Sequence, residues 1–215
     1  MPSAPVLVPE LAGVSGEAVE LRNAVLTAAE SLPQRWVALG PGLDAVYGPE
    51  SAGGFGGFGV DVAVRLSPSA PERLDLPLCA LVTGWVREQV RPDAEVVVHT
   101  YGDPGAAVGA GRRLRVEIEQ AAEPIGVLVV ADGANTLTPA APGGYQPADV
   151  EVQRALDDAL AVGDIAALVD LPRQVVGRAA FAALAGLAGT PPRTATQLYR
   201  DAPYGVGYFV GVWQA

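Results

Sequence analysis

The sequence predicts an α/β fold, a three-layer sandwich around a mixed, mainly parallel central sheet. Three observations carry this. Segments with strand and helix periodicity alternate along the chain. Residues 125–131 (Ile-Gly-Val-Leu-Val-Val-Ala) form an unbroken apolar run, the pattern of a central strand covered on both faces. The last two strand-like segments, residues 195–200 and 207–213, are joined by a short proline- and glycine-containing turn and read as a hairpin, which makes the sheet mixed. With 215 residues, 50% of them hydrophobic and 18% charged, residues 1–215 can bury a sizeable core as a single domain.

Residues 4–8 (Ala-Pro-Val-Leu-Val) read as a short extended segment. A helix follows, with Ser15 as N-cap and Glu17 near the positive end of the dipole. Ala18, Leu21, Val25, Ala28 and Leu32 recur three and four apart as one stripe, and Pro33 stops the helix. Residues 35–39 form a strand ended by Gly40-Pro41-Gly42. The glycine-rich residues 48–59 suggest a phosphate cradle, but no lysine follows and no GxGxxG lies between a strand and a helix. A flexible surface loop is the better reading. Residues 60–66 alternate as a strand, with Val60, Val62, Val64 and Leu66 on one face.

Asp75 is placed to cap a helix running to about residue 91, with Leu78, Leu81, Val82, Trp85 and Val86 inward. Residues 94–101 are a β-branched strand closed by Gly102-Asp103-Pro104. Between 105 and 123, the alternation of Leu114, Val116 and Ile118 with polar residues favours a strand over 112–119. The apolar run ends in Asp132-Gly-Ala-Asn135 and a loop to Gln146. Pro147 then opens a helix that Gly163 closes, and further helices are expected over 164–171 and 173–187. Gly205, Gly207 and Gly211 recur on one face, where a packed helix, a ligand or a second subunit must come close to the backbone.

Composition removes several classes of chemistry. Twenty-four acidic against fourteen basic residues give a formal net charge of −10, which argues against binding a phosphate backbone. Every basic residue is arginine, so Schiff-base chemistry and the P-loop lysine are excluded. The lone Cys79 and lone His99 rule out zinc fingers, CxxC centres and two-histidine metal sites. One cysteine allows no internal disulfide and fits a reducing cytoplasm. The first ten residues lack a basic region before their apolar stretch, and no run reaches the ~18 to 20 apolar residues of a membrane span.

Two places could hold chemistry. Asp132 and Asn135, at the end of the apolar strand, could bind a metal or orient a polar ligand. The plainer account is an Asx-turn, Asp132 accepting backbone N–H groups where the chain leaves the sheet. His99, near the end of its strand, could be a general base or a single metal ligand; alternatively it is a half-buried histidine with a backbone partner. Cys79, Trp36, Trp85 and Trp213 read as packing residues. Ligands in such folds collect beyond the carboxyl ends of strands, here after Leu39, after residues 99–101 and after Ala131.

With these residues laid out, the chain resembles the LigB-type class III extradiol dioxygenase superfamily, in particular its subunit-B-like proteins of high-GC bacteria. Residues 2–10 (Pro-Ser-Ala-Pro-Val-Leu-Val-Pro-Glu) are similar to that family's Pro-His-x-Pro-x-Leu opening. Residues 127–135 resemble its strand and Ser-Gly-Asp-Leu-Ser-His turn. Residues 144–189 and Tyr204-Gly-Val-Gly-Tyr208 resemble its C-terminal half. The resemblance implies an α/β sandwich with a mixed sheet, and, in active members, Fe(II) held by two histidines and a glutamate that opens catechol rings with O₂. It also places the family's first strand largely before Met1. Here Ser3 stands where the opening motif has its ligand histidine, the Asp132 turn has no histidine, and residues 178–187 contain no glutamate. His99 with Asp132 supplies at most two ligands from separate strands, with Glu10 as a third.

The expectation is therefore a cytoplasmic LigB-like protein without the iron site or ring cleavage, with no cofactor unless Fe(II) activity is retained. It would keep a cleft for a small molecule or partner, lined by Ser3, Asp132, Asn135 and Tyr204. One alternative is a metal-dependent dioxygenase or hydrolase rebuilt around Asp132, Asn135 and His99. Another is a non-catalytic accessory subunit that assembles as a homo-oligomer. Neither nucleic acid nor a membrane is an expected partner.

Overall fold

The structure is a computed structural model that describes residues 1–12 and 15–214. It starts with a 3₁₀ turn, Pro5–Leu7, where an extended segment was expected; Pro5 presets the φ of the turn's first position. Helix α1 (Pro9–Ala12) follows directly, and α2 (Gly16–Ala29) begins as the sequence predicts, with the Ser15 side chain accepting from the Ala18 amide. Strand β1 (Arg35–Pro41) leads into the short β2 (Ala45–Tyr47).

The glycine-rich stretch is not simply a loop. It carries β3 (Ser51–Gly54) and a 3₁₀ turn, Phe55–Phe58. Gly53 lacks a side chain because the strand lies close to the next helix: a Cβ there would sit 2.9 Å from Leu76 and 3.0 Å from Leu81. Strand β4 (Ala63–Arg65) is a short core of the expected 60–66 strand, and β5 (Glu72–Arg73) pairs with β3. Helix α3 (Leu78–Val90) has Pro77, not Asp75, at its N-cap; the residue before a proline is excluded from helical geometry, which moves the start past Leu76. After β6 (Glu95–Tyr101) comes the largest correction. The strand expected over 112–119 is the middle of a helix, α4 (Pro104–Glu119). Asp103 caps it at the Ala106 amide, Pro104 occupies N1, and Ala107, Gly111 and Leu114 are its buried face. Val116, central to the misleading alternation, points to solvent.

Strand β7 (Ile125–Val129) ends the main sheet, whose order is β2-β6-β1-β7. The apolar run does not make it central, because a run of this kind records two covered faces and not a lateral neighbour on each side. Its far side is met instead by the N-terminal segment: the Met1 amine donates to the Val129 carbonyl at 2.8 Å, and the Ala131 amide to Met1 at 2.9 Å. Strands β6, β1 and β7 are parallel, and β2 runs antiparallel to β6. The sheet is therefore mixed because of β2. The C-terminal hairpin, β8 (Thr194–Asp201) with β9 (Tyr208–Gln214), forms a separate two-stranded sheet, as β3, β4 and β5 form a three-stranded one.

Between β7 and the hairpin lie α5 (Asp149–Val162), α6 (Ile165–Val169) and α7 (Arg178–Ala188). Gly163 closes α5 in the left-handed conformation, φ +73°, as its position in the sequence predicts. Helix α7 begins five residues later than Arg173, because Val175 first bridges to Ala134 and the Gly177 amide binds the Asp132 carbonyl.

Alternate residues of β1 separate the layers. Trp36 and Ala38 pack with α2, α3 and Val210 of the hairpin; Val37 and Leu39 pack with α4 and α7. A third cluster joins α5, α6 and α7 to Phe209 and Trp213 of β9. Buried Arg87 ties α3 to its surroundings, its Nε donating to the Arg65 carbonyl at 2.9 Å. Among the described residues, no helix is long and apolar enough to cross a membrane.

Candidate functional site

After β1 the chain passes to β2, beyond β6, and after β7 it leaves the sheet for α5; open α/β sheets receive ligands beyond the carboxyl ends of their strands. Asp132 emerges there. Its Oδ1 accepts the Ser3 amide at 2.8 Å, which joins the N-terminal segment to the turn after β7. Burial pushes Asp132 up to about 6, partly opposed by the Ser3 amide and the nearby Met1 amine. Burial also lowers the Met1 amine to about 5. Burial raises the Tyr208 phenol, and the Asp132 carboxylate adds to that rise. The Tyr204 hydroxyl shares a 2.8 Å hydrogen bond with Ser15, the cap of α2.

The turn is held from behind by a polar relay. Gln153 Oε1 accepts the Ala134 amide at 2.8 Å, Gln153 Nε2 donates to Asp157 at 2.7 Å, and Asp157 accepts Arg200 Nε at 3.0 Å. Arg200 also donates to Asp158 at 2.6 Å. A Cβ on either Gly133 or Gly207 would lie 2.0 Å from the Gln153 side chain, so both glycines make room for it. The close approach expected at Gly207 is therefore a packed helix, α5. Gly205 instead adopts φ +70° in the turn before β9. The relay lines a cavity of about 390 Å³ between α5 and the start of the hairpin connection.

A second cleft, of about 370 Å³, lies between α4 and the β2–β6 edge. Two of the three strand-end loops build it: the Gly42 amide binds the Tyr101 carbonyl at 3.1 Å, and the Gly102 amide binds Asp44 Oδ1 at 2.8 Å. His99 and Tyr101, two residues apart on β6 and thus on one face, stack at 13° with centroids 6.5 Å apart. Arg113 and Glu117 of α4 stand over them. Burial lowers His99 below its ordinary value, against the pull of Glu117, so the ring is neutral at pH 7. Burial pushes the Tyr101 phenol up to about 12.

The structure thus brings Ser3 to Asp132, while the Tyr204 hydroxyl is engaged by Ser15. It does not bring Asn135 there: that side chain lies against Gly143, whose amide binds the Asn135 carbonyl in the 135–143 loop. Nor does it bring His99. In register His99 is level with Leu39 and hence with Val129, which puts it two strand spacings, about 10 Å, across the sheet from β7, with Asp132 three residues further on. A two-histidine, one-carboxylate Fe(II) site does not fit these residues, since the Ser3–Asp132 junction offers one carboxylate and no imidazole. Among the described residues no three His, Cys, Asp or Glu side chains converge to hold a metal.

Sequence reasoning missed Arg113 and Glu117 because it read 112–119 as a strand, which would send both to the same face without turning them over β6, and without α4 in place the cleft that Tyr101 and Asp44 also line was not visible. The signal was present: Asp103-Pro104 is a helix start, and Ala107, Gly111, Leu114 and Ile118 fall four, three and four apart. The Gln153–Asp157–Arg200 relay was also missed; only the i, i+4 spacing of its first two members is local.

No family model and no curated protein matches this chain. Among solved structures it is similar to an uncharacterised protein, JW3007, from Escherichia coli K12, at a TM-score of 0.51 and 12% identity. That likeness spans 89% of this chain and 91% of the other, and it concerns the fold.

Proposed function

We propose that this chain is a LigB-like protein of the class III extradiol dioxygenase superfamily that assembles no Fe(II) site, opens no aromatic ring, and uses the fold to bind a small molecule. The observation that carries this is the Ser3–Asp132 contact. The opening segment and the turn after β7 are the two stretches that resemble the family's metal-binding and catalytic motifs, and they meet beyond the carboxyl end of β7. What they present to each other is an amide and a carboxylate. Imidazole and thiolate do not enter the junction, and its carboxylate is drawn toward the neutral form by burial, which weakens it as a ligand. The lone buried Cys79 supports a cytoplasmic setting.

The test is anaerobic titration calorimetry of Fe(II) into metal-free protein, with Asp132→Asn in parallel, followed by oxygen uptake with catechols. No saturable heat and no uptake are expected. Stoichiometric Fe(II) binding that Asp132→Asn weakens would sink the reading and restore a dioxygenase.

One observation favours a second reading, an accessory subunit that assembles through the sheet edge. β2 is an edge strand, and beside it Leu43 is 89% and Val46 62% exposed. A mass in solution that remains that of one chain at high protein concentration would dismiss it.

A further inference from the structure

The cleft over His99 holds opposite charges that do not satisfy each other. Arg113 and Glu117 are one helical turn apart on α4 and both line it. The next pair of the same spacing on that helix, Arg115 and Glu119, closes to 2.7 Å, whereas among the described residues no ion pair joins Arg113 to Glu117. Below them lie the near-parallel His99 and Tyr101 rings, His99 half-buried and Tyr101 only 8% exposed, and small side chains, Ala106 and Ala110, stand beside them. The arrangement has one cationic donor, Arg113, two carboxylates, Glu117 and Asp44, of which Asp44 already accepts the Gly102 amide, and a small apolar wall within about 370 Å³.

Long-range electrostatics discriminates among the occupants. The net charge of −10 opposes entry of a free anion, and a lone ammonium group, though drawn to Glu117 and Asp44, would leave Arg113 unengaged. A molecule of no net charge that carries both signs avoids the first penalty and engages Arg113 as well. We propose that this cleft binds a free α-amino acid with an apolar side chain: its carboxylate on Arg113, its ammonium group on Glu117, and its side chain against His99 and the alanines of α4. The site shares no residue with the Ser3–Asp132 junction, so the inference goes beyond the reading above and does not rest on the loss of iron. The neutral state of His99 suits it, since a charged ring beneath the side chain would be an unsolvated cation.

His99 is the sole histidine, so its Hε1 proton is a unique resonance in the NMR spectrum. The experiment follows that resonance at pH 7.5 while L-leucine or L-phenylalanine is added, with 3-phenylpropionate and phenethylamine as probes carrying one charge each. A saturable shift with the amino acids is expected, at least about tenfold weaker with either single-charge probe. Arg113→Met and Glu117→Gln, both at exposed positions, should each weaken amino-acid binding by about tenfold with the helical circular dichroism unchanged. No saturable shift up to millimolar amino acid would overturn the proposal. Binding of either single-charge probe as tightly as the zwitterion would overturn it too. Fe(II) calorimetry is independent of this titration, so failure of one reading is not mistaken for failure of the other.

Discussion

The two faces of the central sheet are closed by opposite means. On one, Trp36 of β1 is 1% exposed and packs with Leu21, Val25, Val82 and Val86, so large side chains fill the space to α2 and α3. On the other, α4 and α7 cross with almost nothing between them: a Cβ on Gly111 would lie 2.0 Å from the Ala183 carbonyl oxygen, and one on Gly186 2.1 Å from that of Val108. Alanines supply four of the eight buried side chains there, Ala107, Ala179, Ala182 and Ala183. The first face is stabilised by buried volume, the second by backbone proximity. Removing atoms should therefore injure the first and adding them the second.

The largest effect is expected where volume matters most. Trp36→Ala should cost about 4 kcal/mol in urea unfolding, the usual toll for deleting a buried indole; a loss under about 1 kcal/mol would contradict the division of the faces. Next comes Gly111→Ala. A single methyl against a fixed carbonyl should cost about 3 kcal/mol, because two helix backbones must move apart. If Gly111→Ala is neutral or stabilising, as a Gly-to-Ala change in an isolated helix would be, the close crossing is not a feature of the folded protein.

Gln153→Leu removes the acceptor for the Ala134 amide and a donor to Asp157, and should cost about 2 kcal/mol. Gly207→Ala in that background tests the reason for the glycine, because shortening the partner side chain should lessen the clash; strictly additive losses would argue against contact.

The smallest effect is one of pH. Asp132 titrates at about 6 when folded against 3.8 for the ordinary carboxyl, so between those values the folded state holds more protons than the unfolded. Stability from this group is thus highest at low pH, falls as pH rises through that window, and is flat above it. Asp132→Asn keeps an acceptor for the Ser3 amide and cannot ionise. The variant should gain on the wild type by about 2 kcal/mol from pH ~4 to ~7 in urea melts. Asp157, also pushed up to about 6 by burial, leaves its own slope in both proteins, and the Met1 amine, lowered by burial to about 5 against the pull of Asp132, adds a slope of opposite sign above that pH. Parallel pH profiles would show that Asp132 titrates normally.

Much of the layer order was legible because its signals are local. Ser15, Gly163 and the β-branched run of β6 each act within a few residues, and each element begins or ends accordingly. Lateral position was not legible. Whether β7 is central or at the end depends on Met1, more than a hundred residues away, and nothing in residues 125–131 encodes that neighbour. The α4 misreading has a different cause. A small-residue helix face such as Ala107–Gly111 carries little hydrophobic contrast, so the three larger residues Leu114, Val116 and Ile118 outweighed the Asp103-Pro104 start. Of the candidate site, Ser3 and Asp132 were legible as a pair only through the family resemblance. The cleft under α4 became visible only once α4 was a helix.

Cys79 gives the first, side-chain-filled face a further property. It lies 2% exposed beneath Gly40, whose missing Cβ would fall 2.4 Å from its sulfur, and burial pushes the thiol up to about 11. While α3 sits on β1 the sulfur is sheltered and protonated, and so inert to alkylation. It becomes reactive only when that helix lifts away. The lone thiol is a clock for the opening of the core, and under native conditions its labelling rate counts how often the helix and sheet part company.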